Sequence, residues 1–137
     1  MFKKLCCVAV CMVLAGYLAI SYRTPIFERY SDTFTVYLNS PSSLSTEIAV
    51  DRWDFLTLNK VYGESFVTNA EFDLQKLIDD FSAKLVLTES GGGVINYYFY
   101  SPMIKYKKSI KNQAVNLHVA YRGEVLTIGS PIIFGSF

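Results

Sequence analysis

The sequence predicts an α+β fold: an antiparallel sheet with one main amphipathic helix packed on one face, preceded by an apolar N-terminal helix. Three observations carry this. Several short segments alternate apolar and polar residues, the segment after Thr68 switches to a helical period, and the chain opens with Lys3 and Lys4 followed by an uncharged, mostly apolar run from Leu5 to Tyr22.

That opening has the order of an export signal, a basic start and then an apolar core. As a helix its 18 positions would reach roughly 27 Å, close to the thickness of a bilayer core. Ala19 and Ser21, small residues two apart, permit cleavage after Ser21. Residues 1–23 are therefore read as a signal peptide or an N-terminal membrane anchor, and both readings stay open. Cys6, Cys7 and Cys11 lie early in the apolar run, and Cys11 follows Val10 where a lipoprotein site needs a small residue. Either way residues 24–137 are expected outside the cytoplasm, secreted or tethered by the N-terminal helix. That part has no cysteine, so its core alone must hold it. About 115 residues suffice for one such domain. No linker divides it, and "NSPSSLST" at 39–46 reads as an internal loop.

The elements follow in order. "DTFTVYL" places Phe34, Val36 and Leu38 on one face and Thr33, Thr35 and Tyr37 on the other, a strand. "EIAV", "WDFLTL" and "ESFVT" read as further strands, with Trp53 as a core anchor. In "TNAEFDLQKLIDDFSAK" the residues Leu74, Leu77, Ile78 and Phe81 share one helix face, and Thr68 with Glu71 fits a capping box. Asp79 and Asp80 fall near the helix C-terminus, where the dipole disfavours anions. "KLVLTE", "VINYYFY", "IKYKKSI", "VNLHVAY" and "EVLTIG" complete the sheet, joined by turns at "SGGG" and at Arg122-Gly123, with Pro102 as an interruption.

Within "VINYYFY", alternation puts Ile95, Tyr97 and Phe99 toward the helix and Val94, Asn96, Tyr98 and Tyr100 on the other face. Should Tyr98 or Tyr100 lie beside the lysines that follow, then Tyr98, Tyr100, Lys105, Lys107, Lys108 and Lys111 would form an exposed aromatic-basic binding surface. The plainer alternative outweighs it: tyrosine is a good strand former and lysine guards sheet edges. Charge points away from nucleic acid as the partner. Residues 24–100 carry five Lys/Arg against eleven Asp/Glu, and residues 101–137 five against one, leaving the exported part at −2.

His118 is the only histidine, and its alternation with Leu117 and Val119 reads as a solvent-facing strand position. No second histidine or exported cysteine completes a metal site with it, and no serine has a nucleophile-elbow context. "SGGG" lacks the lysine and following helix of a phosphate loop. The consecutive pair Asp79–Asp80 cannot converge on one helix face. No cofactor is expected.

The export leader, the helix, and the strings "KLVLTES", "NYYFYSP", "VNLHVAY" and "LTIGSPIIFGSF" together resemble the YwmB-like family, exported proteins of spore-forming Gram-positive bacteria with a domain like the TATA-box-binding protein. The likeness covers about Leu74 to the end and is vague before Asn59. It implies a curved antiparallel sheet with helix on its convex side, and it carries no functional residue and no DNA binding. The expected function is a non-enzymatic exported or membrane-anchored binding module at the cell envelope. Its partner would be a protein or an envelope polymer, with the membrane engaged through residues 5–22 if the leader is retained. The alternatives are a small hydrolase-like enzyme using His118 and a purely structural envelope component.

Overall fold

The computed structural model describes residues 2–21, 25–38, 40–50 and 61–134. The predicted strand "WDFLTL" and Trp53 lie outside the described residues. Helix α1 spans Phe2–Ser21, and its described side chains, those of residues 6–15, are all exposed. Among the described residues no helix is long and apolar enough to cross a membrane.

The rest is α+β. Strands β1 (Phe34–Leu38), β2 (Thr46–Val50) and β3 (Val61–Asn69) precede helix α2 (Leu74–Asp80); then come β4 (Lys84–Gly91), β5 (Val94–Tyr100), β6 (Lys108–Ile110), β7 (Gln113–Val115), β8 (Leu117–Arg122) and β9 (Val125–Ser130). Seven strands form one sheet in the order β2-β1-β3-β9-β8-β5-β4, with every neighbouring pair antiparallel; β6 and β7 form a separate hairpin. Helix α2 carries the chain from β3, near one side of the sheet, to the far edge at β4. The predicted turns are present. Gly91 pairs with Val94 around Gly92 and Gly93, whose φ of 60° and 77° suit a two-residue hairpin loop that only glycine enters freely.

One face of the sheet buries Phe34 and Val36 of β1, Phe66 of β3, Phe99 of β5 and Val119 of β8 against Leu77 of α2. The expected helix face is therefore the packed one, with Leu74 and Ile78 at its margin and Phe81 inside. The helix is shorter than its periodicity suggested, and its cap is different. Thr68 belongs to β3, paired with Leu126, so no capping box with Glu71 forms. Asp73 is the N-cap, and its Oδ1 accepts from the Lys76 amide at 2.9 Å. A side chain five residues closer to the apolar run reaches the orphan amides better than one still held in a strand. Asp73→Ala is expected to cost about 1 kcal/mol in urea denaturation, whereas Glu71→Ala should be close to silent.

The anions at the helix end have partners. Asp80 accepts from Lys76 Nζ at 2.7 Å and from the Tyr30 hydroxyl at 2.8 Å, with Arg29 at 3.9 Å. The Lys76 bond, then the Tyr30 bond, hold its carboxyl below the usual range. Asp79 accepts from Gln75 Nε2 at 2.8 Å.

Two further expectations change. "IKYKKSI" is strand only over Lys108–Ile110, because residues 101–107 form an irregular loop. "VNLHVAY" divides at Asn116 into β7 and β8. The side chain of Asn116 explains both. Its Nδ2 donates to the carbonyls of Ser101 (2.7 Å) and Ile104 (2.9 Å), while its Oδ1 accepts from the Ser101 amide at 2.7 Å. Ser101 Oγ in turn donates to the Phe81 carbonyl at 2.5 Å, and Asn116 and Ser101 are both fully buried. Backbone groups satisfied this way need no strand partner.

Candidate functional site

The six predicted surface residues fall into two groups. Tyr100 ends β5, and Lys105 and Lys107 stand in the 101–107 loop; all three are exposed. The other three are engaged elsewhere. Tyr98, expected to face water, is only 8% exposed, its ring stacked on His118 at 4.4 Å. Lys108 donates to the Pro41 carbonyl at 2.9 Å and lies 4.8 Å over the Phe134 ring. Lys111 pairs with Glu89 at 2.5 Å and holds that carboxyl below its usual range. The expected surface is thus corrected at Tyr98, which belongs to a buried arrangement around His118; Tyr100, Lys105 and Lys107 are exposed, and Lys111, though paired, is exposed as well.

His118 is also a correction: it is 3% exposed, not solvent-facing. Alternation assigned its face properly but could not say what covers that face. The cover is the chain's own C-terminal segment. Beyond β9, residues 131–134 turn back across the sheet, and Ile133 and Phe134 pack with Tyr37, Val94 and Ala120. Two glycines make room. A Cβ at Gly129 would meet Ile133 Cγ1 at 2.7 Å, and one at Gly63 would meet the Ser130 carbonyl at 2.9 Å and the Phe134 ring at 2.8 Å. The Phe134 ring sits edge-on to Tyr37 at 5.3 Å, and the Tyr37 hydroxyl shares a 2.8 Å hydrogen bond with Ser65 Oγ.

Both ring nitrogens of His118 are engaged by this packing. The Ile133 amide donates to Nδ1 at 3.2 Å, so Nδ1 is the acceptor. Nε2 then carries the proton and donates to Asn96 Oδ1 at 2.9 Å. Burial lowers its pKa to about 4, opposed by the Glu89 charge. Burial likewise pushes the Tyr98 hydroxyl up, and the same charge adds to the shift. A neutral imidazole with both nitrogens committed to structural partners has no lone pair directed at a substrate and no proton poised near neutral pH.

Another buried ionisable group was missed by sequence reasoning. Glu64 is fully buried in β3, and its Oε1 accepts from the backbone amides of Ile26 and Phe27, the latter at 2.9 Å. It binds the segment after α1 to the sheet, where Phe27 packs edge-on to Phe66 at 5.1 Å. The alternation of "ESFVT" puts Glu64 on the face of Phe66, and a charge on a core face was the available signal.

Among the described residues no group of three or more His, Cys, Asp or Glu side chains is placed to hold a metal ion. Comparison of the chain with protein-family models, with curated proteins and with solved structures finds no match.

Proposed function

We propose that the chain is a non-enzymatic binding module, exported or anchored by its N-terminal helix, that acts at the cell envelope. The observation that carries the non-enzymatic part is His118. The one side chain suited to general acid–base work at neutral pH is buried beneath residues 131–134, with each nitrogen in a structural hydrogen bond. The exported or anchored part rests on the basic start, the apolar run, and an α1 whose described side chains are exposed. The resemblance to YwmB-like proteins extends this to a curved sheet of the TATA-box-binding type with α2 on its convex side. In that reading the opposite face, where such a saddle would take its ligand, is already filled by Ile133 and Phe134. The exposed Tyr100–Lys105–Lys107 cluster is then the better place for a contact outside the chain, and the module's partner is a protein or an envelope polymer and not nucleic acid.

A reporter enzyme that works only outside the cytoplasm, fused after Phe137, should be active in intact cells. Activity from a cytoplasm-only reporter at the same position would overturn the location. Detergent-solubilised full-length chain used as bait in envelope extract should retain a discrete protein; recovery of wall polymer alone would redirect the reading to a glycan role.

A further inference from the structure

We infer that the end of the sheet bearing Lys84, Tyr100 and the 101–107 loop docks on anionic phospholipid headgroups. The inference rests on the membrane-anchored form of the reading above, and it comes from where the chain enters the domain.

Ile26 and Phe27 are fixed by Glu64, and Glu64 pairs with Ser130, the last residue of β9. On the next strands Leu117, the first residue of β8, pairs with Phe99, and Lys84 pairs with Tyr100 one residue further out. Chain entry and the lysine loop therefore share one end of the sheet. Four residues, 22–25, connect α1 to Ile26. Even fully extended they reach only about 14 Å. A domain tethered to a bilayer by α1 would thus hold this end within roughly one or two Debye lengths of the headgroups.

The loop is built to present side chains outward. Asn116 and Ser101 fix its backbone, Ile104 is buried as its anchor, and Met103, Lys105, Tyr106 and Lys107 are exposed around it. Met103 is 63% and Leu85, beside Lys84, 55% exposed. Among the described residues no ion pair engages Lys84, Lys105 or Lys107, whereas Lys76 and Lys111 each have a carboxylate. Two exposed acids stand against these charges, Glu28 beside Phe27 and Asp79 near the end of α2. Cations with long apolar stems, a tyrosine and exposed methionine and leucine are the composition of an interfacial contact. Attraction to anionic lipid would orient the domain instead of letting it swing on its tether.

The test uses the full-length chain in lipid nanodiscs of phosphatidylcholine, with and without phosphatidylglycerol, and amine-reactive labelling of individual lysines read by mass spectrometry. Labelling of Lys84, Lys105 and Lys107 should fall about fivefold on anionic discs and recover in 1 M salt, where the screening length is about 3 Å. Lys76 and Lys111, held by their own ion pairs, should label alike on both discs. Equal labelling of the three lysines on both discs, with the chain co-eluting with each, overturns the docking surface and leaves the anchor standing. Failure to co-elute with neutral discs overturns the anchor itself. Protection by soluble polyphosphate in detergent but not by anionic discs would assign the lysines to a free polyanion and also overturns the proposal.

Discussion

Lowering the pH from 7 to 4 should remove about 3 kcal/mol of stability through His118 alone. Its folded pKa, about 4, lies below the ordinary 6.5. Between those values the unfolded chain binds the extra proton and the folded one does not, so stability falls as pH falls through this window and is constant above it. Asp80 and Glu89 are depressed carboxyls held by Lys76 and Lys111, and their contributions are lost only at lower pH, below ordinary values of 3.8 and 4.5. Urea denaturation between pH 6.5 and 4.5, read as the difference between wild type and His118→Gln, therefore isolates the histidine. Protonating Nδ1 would set two donors against each other at the Ile133 amide. Residues 131–134 should loosen first, seen as faster exchange of that amide. His118→Gln should be less stable than wild type at pH 7, because one amide cannot replace both ring bonds, and its stability should be nearly flat across the same window. A wild-type profile without slope between pH 6.5 and 4.5 would mean that the ring is not held neutral.

The second large effect is at Asn116. Asn116→Leu fits the volume but strips the partner from the Ser101 amide and the Ile104 carbonyl, and leaves the Ser101 carbonyl only the long 3.5 Å bond from the Ile104 amide. With each buried unsatisfied group worth about 1–3 kcal/mol, the expected loss is about 4 kcal/mol, a large share of a small domain's stability. Asn116→Asp keeps an acceptor for the Ser101 amide but places a carboxylate against two carbonyl oxygens. It should be as damaging at pH 7 and partly recover on acidification, when the protonated carboxyl can donate to one of them. That recovery runs opposite to the wild-type trend, so thermal denaturation at two pH values separates a lost donor from a lost shape. If both substitutions cost under 1 kcal/mol, the loop does not depend on Asn116.

Local patterns exposed much of this fold. Alternation in "DTFTVYL" and "VINYYFY" assigned faces that the structure keeps, with Phe34, Val36 and Phe99 in the core beside Leu77. The glycine pair at 92–93 marked its hairpin. What stayed hidden were contacts between residues distant in sequence. Period two says that Tyr98 and His118 share a face, but only the return of Ile133 and Phe134 decides that this face is dry. "IKYKKSI" alternates as a strand does, yet Asn116 satisfies the preceding loop from another part of the chain. Part of the expected surface changed for the same reason: Tyr98 is buried against His118, while Lys108 and the still exposed Lys111 stand beside Pro41 and Glu89. Tyr100, Lys105 and Lys107 remain exposed among the described residues.

The order of the sheet also sets a schedule for assembly. Strand β9, the last of the described strands, lies between β3 and β8. Without it, β1–β3 and the β4–β5–β8 group would be two half-sheets that share packing on α2 but no strand pairing, each with an open inner edge. Pairing over such sequence distances is slow, and unpaired edges invite association with other chains. The sheet is therefore complete only once β9 is inserted between its two neighbours. That position makes β9 the least dispensable strand. Loss of residues 125–137 would remove the strand that holds the two halves together.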